Sequence, residues 1–278
     1  MSTIKSSSLF HFTQDLNSVK GILANGFRLS FCMEVYPEKI VIGLPMVCFC
    51  DIPLMRTYNH RLIYGNYMIG ISKEKLREKW LFELNPVLYR SSIYMNKIIN
   101  EAVEELKKHS EESKKIIDSI SLEIFNKIDK KETYSVYGND KLEKTFIDNR
   151  NKVKFYESLI AYSKLYKEGK NTYYDESEWR IVGNNWGETE WIWTSCHEDL
   201  DEFRKKENKR LWTARDIYYG ISSINDITHI IVKEEKEIES IISYIKDSDK
   251  IMGLELSNHD KEFLLTKITS LERIENDY

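Results

Sequence analysis

Residues 95–131 contain neither glycine nor proline. Ile99, Val103, Leu106, Ile116, Ile117, Ile120, Ile124 and Ile128 recur there near the helical period. Glu104–Lys108, Glu111–Lys115 and Glu123–Lys127 stand four apart with the acid first, the favourable order on a helix surface. This stretch is one long helix or a helical hairpin. It constrains everything else, because strand-like sequence lies on both sides of it. A sheet built from both ends of the chain must close across a helical insertion, which predicts an α+β fold.

The N-terminal strand signals are short and sharply punctuated. Leu9-Phe10-His11-Phe12-Thr13 reads as an aromatic strand. Asp15 offers a helix N-cap, Leu16, Val19, Ile22 and Leu23 share one face, and Asn25-Gly26 supplies the C-terminal stop. Met46 to Cys50 is a second strand, followed by Asp51-Ile52-Pro53 and a helix over about 54–62. Tyr67 to Ile71 is a third, Ser72 caps a helix reaching Trp80, and Pro86 to Tyr89 is a fourth. Beyond the helical block, a second helix is expected over Val153–Lys167 after a polar turn at 137–140. Glu178–Val182 and Glu190–Thr194 then read as a tryptophan-rich hairpin. Thr228–Lys233 is a buried strand, 234–245 an amphipathic helix, and Lys267–Ile274 closes the sheet. The expectation is a single domain over 1–278, with a helical insertion at 95–168.

Composition excludes several classes. Lys plus Arg is 41 against 45 Asp plus Glu, a net charge of −4. That balance argues against a chain that grips duplex DNA by charge alone. The longest apolar run, Ile40–Cys50, falls short of the ~18 residues that cross a bilayer. Leu9–Phe12 is too brief for a signal-peptide core. Four cysteines in 278 residues make no disulfide framework. A cytoplasmic protein with reduced thiols and no membrane segment is expected.

No phosphate loop, dinucleotide fingerprint, zinc-protease motif or Cys-x-x-Cys pair occurs. Cys48 and Cys50 share one face of a strand, but Cys32 and Cys196 give them no second pair, so buried thiols without metal are expected. Two residues carry more chemistry. His11 faces opposite Phe10 and Phe12, either into water or into a cleft. In Tyr174-Asp175-Glu176-Ser177-Glu178-Trp179-Arg180, alternation puts Glu176, Glu178 and Arg180 on one face. Such a face is either a solvated sheet edge or a carboxylate held beside an arginine at a cleft mouth. A local basic cluster, Lys205, Lys206, Lys209 and Arg210, reads as a solvated helix face beside Glu202 and Glu207, or as a nucleic-acid contact.

Several of these segments together resemble the AbiGi family of abortive phage-infection proteins. They are Leu9–Thr13, Gly21-Ile22-Leu23-Ala24-Asn25-Gly26-Phe27, the run Pro45-Met46-Val47-Cys48-Phe49-Cys50-Asp51-Ile52-Pro53-Leu54, and Tyr64-Gly65-Asn66-Tyr67 through Gly70. Asn85–Tyr89 and Glu178-Trp179-Arg180 extend the match. The resemblance implies phage defence through a two-gene toxin–antitoxin pair, with this member the antitoxin and a nucleotidyltransferase-like protein the toxin. More distantly, the same order of features is similar to ADP-ribosyltransferase toxins that modify DNA. That likeness implies a split, mostly antiparallel sheet around a cleft, with NAD as substrate and no metal. Carried over, Glu178 is the catalytic carboxylate, and His11 serves catalysis and holds a ribose or the nicotinamide amide. Thr13 lies beside it, Arg28 takes the pyrophosphate, and Tyr64 or Tyr67 stacks on nicotinamide.

Two functions follow. One is transfer of ADP-ribose from NAD to a nucleic-acid or protein acceptor, which requires His11 and Glu178 to converge on one cleft. The other is a non-catalytic antitoxin that binds a partner toxin directly, with the helical block as a candidate contact surface.

Overall fold

The computed structural model describes residues 6–36, 40–81, 83–129, 140–165, 167–168, 171–172, 177–183, 191–195, 199–214 and 218–277. The chain forms two compact units, one of residues 1–35, 39–89 and 166–278, the other of 36–38 and 90–165.

The larger unit is built on a nine-stranded sheet. Its strands are β1 (Ser8–Thr13), β2 (Ser30–Val35), β3 (Ile40–Cys50), β4 (Tyr67–Ser72), β5 (Leu84–Pro86), β6 (Glu178–Val182), β7 (Ile192–Ser195), β8 (Ile227–Val232) and β9 (Ile268–Ser270). The main path runs β9-β8-β4-β1-β3-β6-β5, with β2 and β7 also on β3. Only β8 and β9 pair in parallel; every other pair is antiparallel. Strands from residues 8–86 and 178–195 thus share one sheet, and the α+β expectation holds.

β3 organises the unit because it is long and apolar enough to carry four partners. Met46 pairs with both Ser30 of β2 and Val182 of β6, so those two strands lie on opposite edges. Cys50 likewise pairs with Phe10 of β1 and Glu178 of β6. β1 and β2 therefore share one edge of β3, and β1 touches it at the single pair Phe10–Cys50.

Two expectations for the later strands are corrected by the pairing. β6 and β7 do not form a hairpin with each other; both pair with β3, one after the other along its second edge. Residues 184–190, including the expected strand start at Glu190, lie outside the described residues. At the C-terminus only Ile268–Ser270 is strand, and Leu271–Asp277 turns into helix.

Helices α1 (Leu16–Asn25), α3 (Lys73–Lys79), α6 (Leu200–Ala214), α7 (Ile238–Asp247) and α8 (Asn258–Leu265) supply Val19, Leu23, Leu76, Leu211, Ile241, Ile245 and Leu264 to the main core. Each such buried aliphatic contributes roughly 1.5–3 kcal/mol. Asp15 caps α1 by accepting the Ser18 N–H at 2.9 Å. Gly26 ends it at φ 95°, where a Cβ would sit 2.8 Å from the Tyr219 carbonyl oxygen. The opposite face of the sheet carries a smaller cluster of Phe10, Met68, Ile231 and Leu271. The helix expected at 54–62 is a 3-10 turn over Leu54–Arg56 and then α2 (Tyr58–Tyr64).

The second unit is helical. α4 (Ile93–Asp129) packs against α5 (Asp140–Ala161), burying Ile99, Ala102, Val103 and Leu106 with Ile160 and Ala161. α5 begins and ends earlier than the expected 153–167. Its start lies at the acidic Asp140, and Ser163–Leu165 is extended. No helix among the described residues is long and apolar enough to cross a membrane.

Candidate functional site

The short junction between β1 and β3 is extended by a side chain. β1 pairs with β3 at Phe10–Cys50, and one residue further His11 Nδ1 lies 2.8 Å from the Cys48 carbonyl oxygen. A carbonyl only accepts, so Nδ1 carries the proton and Nε2 of the neutral ring is an acceptor. Burial lowers the His11 pKa, and the Cys48 carbonyl offsets part of that by favouring the charged ring. Phe27 and Phe49 meet the ring edge-on at 5.2 and 5.8 Å. The imidazole thus stands in for a missing strand hydrogen bond.

Glu178 opens β6 directly after Ser177, whose φ of 44° is left-handed. Its N–H donates to Tyr89 Oη at 2.8 Å, and its carbonyl accepts from Val87 N–H at 2.9 Å. The carboxylate, 5 % exposed, takes Arg180 Nε at 2.7 Å. Arg180 is fully buried, and its Nη2 donates to Glu34 Oε1 at 2.6 Å. Burial works against the guanidinium charge, but the two carboxylates outweigh it and hold its pKa well above the usual value. Cys32 and Cys48 lie beside this triad. The contact with Cys48 lowers the Cys32 pKa, and the same contact pushes Cys48 well up.

His11 and Glu178 lie on opposite faces of the sheet. Leu9 belongs to the main core and Phe10 to the smaller cluster, so alternation sends His11 to the main-core side, where Phe27 and Phe49 meet it. Ile181 and Trp179 also face the main core, which sends Glu178 and Arg180 to the other side. Thr13 and Tyr67 are paired and share the His11 side. The Tyr67 hydroxyl is spent on Glu237 Oε1 at 2.8 Å, and burial with that carboxylate pushes its pKa up to about 12. Tyr64 stands near His60, 6.2 Å between ring centroids, and His60 stands near Phe12 on the other side. Arg28 lies 3.8 Å over the Trp212 ring. The residues assigned to NAD are therefore divided between two faces of the sheet.

Among the described residues no cluster of three or more His, Cys, Asp or Glu could hold a metal. Cys196 lies outside them. Glu34 and the Cys32–Cys48 contact are not legible in the sequence, because the alternation of residues 30–35 announces a strand but not its pairing with β3. Lys73 forms an ion pair with Asp51 and lies 5.0 Å over Trp179, closing the end of β6 on the main-core side.

No solved structure matches this chain. The "Abortive phage resistance protein AbiGi" of Lactococcus lactis subsp. cremoris is 24 % identical over 276 residues, covering 90 % of this chain and all of the relative. Residues 35–233 match the model of the family described as "Putative abortive phage resistance protein AbiGi, antitoxin". That span holds β3 with its Cys-Phe-Cys-Asp-Ile-Pro-Leu run, the Glu178–Arg180–Glu34 triad short of Glu34 itself, and the helical residues 90–165. The chain belongs to the AbiGi family.

Proposed function

We propose that the protein serves phage defence as a non-catalytic antitoxin that neutralises a toxin by direct binding. The carrying observation is the fate of Glu178. Its charge is consumed by a fully buried arginine, on the face of the sheet away from His11. Stabilising an oxocarbenium-like sugar needs an available carboxylate aimed at the reacting carbon. A carboxylate locked in an internal ion pair serves the fold instead. The family description as an antitoxin supports the same reading.

An ADP-ribosyltransferase-like scaffold acting on NAD makes the competing forecast. In favour of it stand the short junction at β1 and the acceptor nitrogen left on His11. The test compares wild type, Glu178→Gln and His11→Ala for nicotinamide release from NAD and for rescue of cells expressing the toxin of the pair, each scaled to folded protein. The expected result is no nicotinamide release and rescue within about twofold of wild type in both variants, since neither side chain is offered to a partner. Wild-type release that Glu178→Gln reduces by about a hundredfold or more would overturn the proposal.

A further inference from the structure

α2 is amphipathic the wrong way round. Thr57 and His60 are buried at 1 % and 5 % exposure, while Met55, Tyr58, Leu62 and Ile63 are 54–70 % exposed. At 100° per residue His60, Arg61 and Tyr64 fall on one side of α2, and Tyr58, Leu62 and Ile63 on the other, with exposed Met55 on the 3-10 turn just before it and buried Thr57 between turn and helix. A surface helix ordinarily turns its apolar stripe to the core. Here the stripe faces outward, on the segment directly after the Asp51-Ile52-Pro53 turn.

From this we infer that the outward face of α2 is the surface that seats in the partner toxin, as an apolar helix in a groove with an acidic rim. The inference rests on the neutralisation reading and adds its surface and the partner's chemistry. Charge selects the occupant. No acidic residue stands between Asp51 and Glu74, in a chain with 45 of them. Arg61 is paired with Glu275 at 2.5 Å, whereas exposed Arg56 makes no ion pair among the described residues. A groove with a carboxylate at its rim would satisfy Arg56 and gain steering from it. On this face a second copy of the chain would offer Arg56 the carboxylate of Glu275, which Arg61 already holds. The four side chains also expose on the order of 500 Å², short of the ~800 Å² per partner of a standard interface, so they suit a groove that closes over the outward face of α2 better than two flat faces in contact.

The test uses the full chain and the co-encoded toxin. Leu62→Ser/Ile63→Ser and Arg56→Glu are compared with wild type for affinity to the purified toxin and for cell rescue. Thermal melts, light scattering and binding to phosphatidylglycerol vesicles are recorded in parallel. The expected result is at least a tenfold loss of affinity in each variant, with unchanged melting temperature and a monomer throughout. Wild-type affinity in both variants overturns the surface while leaving neutralisation standing. So does loss of self-association or of vesicle binding in the variants with the toxin complex intact, which would assign the face to a second copy or to a membrane. Absence of any complex with wild-type protein overturns the neutralisation reading and this surface with it.

Discussion

Arg180 shows how one side chain is read differently at the two levels. In the sequence, Glu178-Trp179-Arg180 alternates as an edge strand would, and charged residues on such a strand are ordinarily solvated. In the structure β6 lies between β3 and β5, so the same alternation drives Arg180 inward to zero exposure. Glu178 and Glu34 both accept from it and offset the burial of its charge. Taking one member from a buried ion pair costs about 3–5 kcal/mol, because the partner charge stays buried. Arg180→Met removes the cation that both carboxylates bind and is expected to fall in that range. Glu178→Gln keeps an acceptor and leaves Glu34 in place, so a loss of about 1–3 kcal/mol is expected. Urea unfolding of both variants measures the order. Arg180→Met as stable as wild type would mean that the triad contributes nothing to the fold.

At the scale of elements, the legible parts are those whose ends are written locally. Asp15 and Gly26 bracket α1, and Ser72 caps α3 by accepting from Lys75 N–H. α2 departs from this for a physical reason. Leu54 to Leu62 has helical spacing, but only Leu54 packs against the core while Met55, Tyr58 and Leu62 face outward, so periodicity locates a helix without giving its buried side. β2 alternates Phe31, Met33 and Val35 with Ser30, Cys32 and Glu34, but its pairing with β3 is non-local, so the strand pattern alone does not say which edge it joins. Two glycines in the legible elements separate local from tertiary demand. Gly21 lies on exposed helix, and a Cβ added there would have nothing within 4 Å. Gly21→Ala is therefore expected to stabilise by about 0.5–1 kcal/mol. Gly65 has φ 107°, and a Cβ there would fall 2.2 Å from the Thr13 carbonyl oxygen. Gly65→Ala is expected to destabilise by more than about 2 kcal/mol, since both the backbone and β1 must move. Thermal melts of the two variants should shift in opposite directions, and a shared direction would count against this account of the β1 end.

For the whole molecule, the sheet joins the two ends of the chain. β1 starts at Ser8 and lies centrally, while β9 ends at Ser270 and forms the outer edge beside β8. Ile230 N–H donates to the Lys267 carbonyl at 2.8 Å, and Ile230–Ile268 to Val232–Ser270 are the paired positions. The next residue, Leu271, is 4 % exposed and shares a cluster with Phe10, Met68 and Ile231. Strand-like sequence at both ends announces a closing sheet, but the parallel sense of the last pair is not visible there, because it depends on the connection through α7 and α8. The cluster brings together residues 10 and 271, far apart in the chain. Removing residues 266–278 therefore takes away an edge strand and the Leu271 plug together. Leu271→Ala alone should cost about 2–5 kcal/mol through the cavity it leaves. The truncation should cost more and also bare the β8 edge of Ile230, Ile231 and Val232, an exposed apolar strand of the kind that recruits other chains. Urea midpoints and light scattering on wild type, Leu271→Ala and the truncated chain test this. The expected order is wild type, then Leu271→Ala, then a truncated form that self-associates. A truncated chain that stays monomeric and unfolds at the wild-type urea midpoint would show that the sheet is complete without its last strand.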